Sequence, residues 1–106
     1  MPTCRSSGVL TANAVVNAGR CKLISIHATY TGTTGATTVK VFDNASAASG
    51  TELARLILRG PHGADPTIPD ANNVEFDMHG VLALNGLYLQ ISTGAGTGAA
   101  VSVEFA

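Results

Sequence analysis

The first candidates for chemistry are imidazole and carboxylate side chains, which together bind metal ions. None of the histidine pairs has the His-x-His or His-x₃-His spacing that places two ligands on one face of a strand or helix. We therefore expect a half-buried strand histidine, a loop histidine and a histidine at a bend, rather than a metal site. The histidines are His27, His62 and His79, and the metal hypothesis adds Asp65, Asp70 and Asp77 as further ligands.

Paired carboxylates raise two further hypotheses. The segment Asp65–Asp70 offers oxygen ligands for calcium, but a calcium ion takes six to eight of them and two carboxylates are too few. A glycosidase uses two carboxylates on either side of the scissile bond. Spacing alone does not exclude that Glu75, Asp77 and Glu104 converge in this way. A small domain without Trp offers little of a sugar-binding cleft, so we expect no glycosidase.

Nucleophile and phosphate motifs are absent from the sequence. No serine lies in a G-x-S-x-G elbow, and Cys4 and Cys21 match no zinc or redox spacing. We expect both thiols to be reduced, with a Cys4–Cys21 disulfide as the alternative. The glycine-rich run Gly94–Gly98 lacks the Lys-Ser/Thr ending of a phosphate loop and precedes a strand. The sequence thus predicts no catalytic, cofactor-binding or metal-binding residues, and no enzyme.

Composition limits the class of protein. The 106 residues fit one domain, residues 1–106, of which 45% are apolar and only 12% charged. The net charge of −1 gives no basic footprint for a nucleic acid partner. Purely apolar runs reach four residues, as in Val81–Leu84, so we expect no membrane span. The first residues lack the apolar region of a signal peptide, so we expect synthesis in a cytoplasm. Low surface charge favours a chain that is packed against copies of itself or against a larger assembly.

Short alternating runs predict β-strands throughout the chain. Turn signals separate them at the spacing of an all-β protein. We predict an antiparallel β-sandwich, jelly-roll-like, with about eight short strands. The runs are Gly8–Leu10, Ala14–Val16, Cys21–Tyr30, Thr37–Asp43, Leu53–Leu58, Val74–Met78, Val81–Leu84, Leu87–Ser92 and Val101–Phe105.

The pattern also predicts which strand residues are buried. Cys21–Tyr30 has apolar residues on both faces, as a strand between two layers would have. In Val74–Met78 the apolar residues alternate with Glu75 and Asp77, which we expect to face solvent. The predicted core is Ile24, Ile26, Val39, Val41, Phe76, Leu82, Leu89, Ile91 and Val103.

Three local segments need separate interpretation. Residues 52–58 fit a short helix with a capping box or a buried strand, and their length favours the strand. Asn85-Gly86, between two apolar runs, predicts a two-residue type I′ hairpin. Residues 60–73 hold three of the four prolines and indicate an extended surface loop. The loosely patterned residues 1–13 fit an N-terminal arm ordered by a neighbouring molecule.

Three stretches, VFDNASAASGTELARL, DMHGVLALNGLYLQIS and VSVEF, resemble small virion structural proteins of tailed bacteriophages. These proteins decorate or cement the head, or form minor head appendages. The shared features are a strand that ends in Asp-Asn, a small-residue turn, a further strand, a His/Asn-Gly segment and a final alternating strand. In this chain they occupy Val39–Asn44, Ala45–Gly50, Leu53–Leu58, Asp77–Gly86 and Val101–Phe105, in the C-terminal two-thirds.

The resemblance implies an all-β sandwich without catalytic residues. It implies a capsid decoration or cement protein that resides in the virion, binds the major capsid protein or other virion proteins, and forms a homo-oligomer, with a trimer favoured. The alternative is a carbohydrate- or receptor-binding module of a fibre or tail. In that case Tyr30, Tyr88 or the segment His62–Asp70 would line an exposed groove, because tyrosine rings stack on sugars. The three phenylalanines are expected in the core or at an interface.

Overall fold

Eight β-strands account for most of the described chain, which comprises residues 4–33, 35–59, 73–92, 94 and 96–106 of a computed structural model. The segment predicted as either helix or strand is a strand. Numbered in chain order, the strands are β1 (Arg5–Ser6), β2 (Ala14–Asn17), β3 (Cys21–Tyr30), β4 (Ala36–Asp43), β5 (Thr51–Arg59), β6 (Asn73–Ala83), β7 (Leu87–Ile91) and β8 (Ala99–Phe105).

The strands form two antiparallel sheets. Sheet I has the order β1-β8-β3-β6, and sheet II has the order β2-β7-β4-β5. Strand 1 therefore pairs with 8, 2 with 7, 3 with 6, and 4 with 5, as when one long antiparallel ribbon is rolled up. This is the jelly-roll order, so the fold class predicted from sequence is confirmed. The predicted run Gly8–Leu10 contributes only a bridge between Leu10 and Val101, whereas Val74–Met78 and Val81–Leu84 join into the single long strand β6.

The core lies between the sheets and is built from the alternate positions of each strand. Fully buried residues include Leu23, Ile26, Val39, Leu89 and Val103. Ile24, Phe76 and Leu82, predicted to be buried, are not: Ile24 is only half-buried, Phe76 is 45% exposed and Leu82 is 42% exposed. Phe76 is exposed because β6 is the outermost strand of sheet I, whereas Leu82 lies opposite the exposed Lys22 and so faces away from the core.

A β-bulge explains the two apolar faces of β3. The register of β3 with both β6 and β8 shifts between Leu23 and Ser25. Leu23 before the bulge and Ile26 after it both face the core, although simple alternation places them on opposite faces. The expectation of a strand buried on both faces was therefore wrong, and the other face of β3 lies on the outside of the sandwich.

The connection at Asn85-Gly86 is not a hairpin. β6 belongs to sheet I and β7 to sheet II, so the turn crosses from one layer to the other. Gly86 has a φ of 152°, but Asn85 does not have the positive φ that a type I′ turn requires. The prediction of a type I′ hairpin was wrong because the turn is held by a distant side chain.

That side chain is Asp43, at the end of β4. Its carboxylate accepts backbone N–H bonds from Leu84 (3.1 Å), Asn85 (2.7 Å) and Gly86 (3.4 Å). These bonds, led by the one from Asn85, lower the pKa of Asp43 below its usual range. Asp43 therefore ties sheet II to the connection between the sheets.

Asn44 organises the loop that follows β4. Its Oδ1 accepts the N–H groups of Ser46 and Ala47, both at 2.9 Å, and its Nδ2 donates to the Ser49 carbonyl and hydroxyl. The Asp-Asn pair, on which part of the sequence resemblance rests, therefore has a structural role. Asp43 fixes the turn between β6 and β7, and Asn44 fixes the loop that follows β4.

Candidate functional site

His27 lies between two carboxylates on the outer face of sheet I. Its Nδ1 is 3.6 Å from Oε2 of Glu75 on β6, and its Nε2 is 3.5 Å from Oε1 of Glu104 on β8. The sheet order produces this arrangement, because β3 lies between β6 and β8. Glu75 is directly opposite His27, and Glu104 is on the diagonal, opposite Ser25. A protonated imidazole here forms ion pairs with both neighbouring strands.

The His27 cluster does not have the geometry of a metal centre. Glu75 and Glu104 approach different ring nitrogens, so they do not converge on one point beside the imidazole. No group of three histidine, cysteine, aspartate or glutamate side chains within the described ranges is arranged to hold a metal ion. His79 lies within β6, where the register with β3 shifts, and has a φ of 53°. Its exposed ring places Nδ1 3.5 Å from Oδ1 of Asp77. His62, Asp65 and Asp70 lie outside the described residues.

The structure does bring together the carboxylates that the sequence left open as a glycosidase pair. Glu75 and Glu104 lie on strands two positions apart, hence about 10 Å between backbones, and Asp77 follows on the same face. The nearest depression, of about 330 Å³, is open and lined in part by His27, Thr29, Asn73 and Glu75. The carboxylates of a glycosidase flank a sugar bound in a cleft, whereas these three side chains are 42–70% exposed on an open sheet face. The face therefore offers charged groups without an enclosed substrate pocket.

A second depression, of about 510 Å³, lies at one end of the sandwich beside Gly94 and Thr97. The polar groups that line it are engaged in holding the backbone. Asn13 Oδ1 accepts the Ile91 N–H, and Ser92 Oγ accepts the Thr38 N–H, both at 2.8 Å. This part of the chain contains the glycine-rich run that superficially resembles a phosphate loop, and Gly98 N donates to Thr37 Oγ1 at 2.8 Å. The described residues of the run, Gly94 and 96–98, lie at this end of the sandwich ahead of β8.

The aromatic residues divide into three environments. Phe105 packs in the core, and Phe76 is on the inner face of β6 at the open side. Phe42 is only 8% exposed yet lies on the outer face of sheet II, directly opposite Tyr88. Tyr30 is tied to the neighbouring loops, since its ring end packs against Gly32 and its hydroxyl donates toward the carbonyls of Gly35 and Gly96. Tyr88 is the remaining half-buried surface tyrosine.

Large apolar side chains are exposed on both narrow sides of the sandwich. Val15, on β2, extends the row of Tyr88 and Phe42 across the outer face of sheet II. Ile57 and Phe76 lie on the two edge strands of the opposite side. The exposed set, at 42–72% accessibility, is Val9, Val15, Ile57, Phe76, Leu82 and Leu84. Phe76 is exposed because β6 is an edge strand, whereas the other strand residues of the set lie on the outer faces of their sheets, and Val9 and Leu84 lie outside the strands.

Comparisons with known proteins give no relatives: no protein-family model, curated protein or solved structure matches this chain. The described part of the chain contains no apolar helix of the length that a bilayer requires.

Proposed function

We propose that this chain is a non-enzymatic structural component of a bacteriophage virion, a decoration or cement protein that binds the head shell. The observation that carries the proposal is the set of exposed large apolar side chains on a jelly roll with few charges. Large apolar side chains on a surface with few charges favour burial against a partner. Jelly rolls are common in viral capsid proteins, but a fold does not specify a function, so the fold only adds to this argument.

The side of the sandwich formed by β1 and β2 is the surface that we assign to the shell. Val9 is the most exposed large apolar residue, at 72%, and Val15 lies on the neighbouring edge strand. Among the described residues, the N-terminal segment that carries Val9 pairs with β8 through Arg5–Ser6, Ser7 and Leu10. A segment that borders one edge strand and exposes an apolar side chain can contact a partner surface.

The test is to follow the protein through virion purification. We expect it to sediment with intact particles rather than remain free in the lysate. The double variant Val9→Ser and Val15→Ser should reduce occupancy on the shell, while Ile57→Ser, at an equally exposed site on the other side, should not. A wild-type protein found only in the free fraction would refute the virion assignment.

A carbohydrate-binding module is the second candidate, favoured by the outer face of sheet II. Tyr88 lies there between Val15 and Phe42, which together form an apolar strip on which a sugar ring can stack. A glycan-array screen with hits that Tyr88→Ala abolishes would support this function. An array without hits would remove it.

A further inference from the structure

The β5–β6 side of the sandwich exposes two long strand edges. β5 is the last strand of sheet II and β6 the last strand of sheet I, with nine and eleven residues. No described strand pairs with the outer edge of either. The opposite side is different, because β1 and β2 are only two and four residues long and the N-terminal segment covers part of β8. Long open edges are templates for pairing with another chain.

The hydrophobic core is not fully covered on this side, as the position of Phe76 shows. It lies directly opposite Ile26, which is fully buried, so its ring faces the space between the sheets. Nevertheless, Phe76 is 45% exposed, since no further strand of sheet I lies beyond β6. A molecule docked along this side would bury the ring and extend the core.

The outer faces of the two edge strands carry opposite charges. β5 presents Arg55 and Arg59, although Arg55 is also paired with Glu52 on the same strand. β6 presents Glu75 and Asp77 on the outer face of sheet I. The two strands run antiparallel, because β5 runs with β3 and β6 runs against it.

Two copies can meet along these sides in two symmetric ways. A two-fold axis perpendicular to the sheets pairs each strand with its own copy. If the axis passes through Phe76 of β6, Glu75 of one copy lies opposite Asp77 of the other. If it passes through Ile57 of β5, Arg55 lies opposite Arg59. Like charges directly opposite each other destabilise a sheet.

A two-fold axis parallel to the strands pairs β5 of each copy with β6 of the other. Both pairings are then antiparallel and the outer faces are continuous. The arginine-bearing face of β5 therefore adjoins the carboxylate-bearing face of β6 at both contacts. An isologous arrangement of this kind leaves neither edge open. The charge pattern therefore distinguishes the two arrangements, and Phe76 of each copy enters the seam between them.

We propose that a second copy of this chain binds along the β5–β6 side, with β5 of each copy pairing with β6 of the other. The inference deepens the proposed assembly role by naming the self-association surface. Backbone hydrogen bonds and burial of Phe76 supply affinity, and the charges select the orientation.

The experiment compares the masses of charge variants by analytical ultracentrifugation at micromolar concentration, with circular dichroism to confirm that each variant is folded. We expect wild-type dimers. Arg59→Glu and Glu75→Arg should each weaken dimerisation about tenfold or more, since like charges then face each other at both contacts. The double variant Arg59→Glu/Glu75→Arg should dimerise like the wild type but fail to form mixed dimers with it. Arg20→Glu, the same charge change in the turn before β3, is the control and should dimerise normally.

A wild-type monomer, or an oligomer that both single variants leave intact, would overturn the proposal. A trimer, the state that the resemblance favours, would also overturn the reciprocal pairing of two copies. Sedimentation with virions is measured separately, so either result is distinguishable from failure of the proposed function.

Discussion

At the residue scale, the Asp43 carboxylate joins the end of β4 to the turn between the sheets. Because its pKa is lowered in the folded protein, its contacts stabilise the fold above the ordinary aspartate pKa. That contribution is lost as pH falls through the lowered folded value, where the carboxyl becomes protonated. Asp43 is thus one source of acid sensitivity.

We expect Asp43→Asn to lower the melting temperature by several degrees at pH 7. The amide keeps one acceptor oxygen and loses both the charge and the second acceptor, so some of the three N–H bonds are left unmade. Thermal unfolding followed by circular dichroism at pH 7 and at pH 3 measures this. The difference from wild type should shrink at pH 3, whereas the exposed-charge control Arg20→Gln should change little at either pH. An equal difference at both pH values would contradict the assigned role of the charge.

The two cysteines differ in accessibility in a way that chemistry can measure. Cys4 is exposed and Cys21 is buried, both as free thiols, and burial raises the pKa of the Cys21 thiol. Alkylation requires the thiolate. Iodoacetamide should therefore modify Cys4 in the native protein and Cys21 only after denaturation, as read by mass spectrometry. Resistance of both thiols until a reductant is added would instead indicate a disulfide.

At the scale of elements, alternation in the sequence was sufficient to find the strands but not to orient all of them. Val39, Val41 and Leu89 were correctly placed in the core because their strands are regular and central. Ile24 was misplaced because a bulge reverses the alternation within β3. A bulge adds one residue without any distinctive residue type, so local patterning cannot locate it.

The candidate surfaces were less predictable than the strands. His27, Glu75 and Glu104 are 29 to 77 positions apart in the chain, and only the order β8-β3-β6 makes them neighbours. The same order determines that Phe76 is at an open side. The local sequence at Asn85-Gly86 predicts a hairpin. It cannot indicate the actual turn, because the Asp43 carboxylate that fixes this turn is about forty residues earlier in the chain.

The crossing between the sheets gives a prediction at this scale. A Cβ on Gly86 would lie 2.5 Å from the Asn17 carbonyl oxygen and 3.1 Å from that of Asn44, and its φ of 152° disfavours other residues. Gly86→Ala should therefore destabilise the protein by about 2 kcal/mol in chemical unfolding. Gly19→Ala is the control, since a Cβ there meets nothing within 4 Å. Equal free energies of unfolding for the two variants would contradict this prediction, because the turn at Gly86 would then accommodate a Cβ at no cost.

At the scale of the whole molecule, the two narrow sides of the sandwich differ in how their strand edges are covered. The β5–β6 side ends in long strands with complementary charges. The other side is covered by a short N-terminal segment, in which Ser7 exchanges two hydrogen bonds with Val103, and Leu10 exchanges two with Val101. The two proposed contacts therefore use different sides of the molecule. A second copy binds the β5–β6 side, and the shell binds the β1–β2 side.

Deletion of residues 1–11 tests that division. The deletion removes β1 and the Leu10 bridge, so the edge of β8 loses its cover and its backbone groups become available to other chains. We expect a folded protein of lower melting temperature, with faster amide exchange at Val101 and Val103 and with loss of binding to the shell. Dimerisation through β5 and β6 should survive, because no residue of that side is removed. If the truncated chain still occupies shells fully, the N-terminal side is not the shell contact. If it becomes monomeric, the segment rather than the β5–β6 side joins the copies.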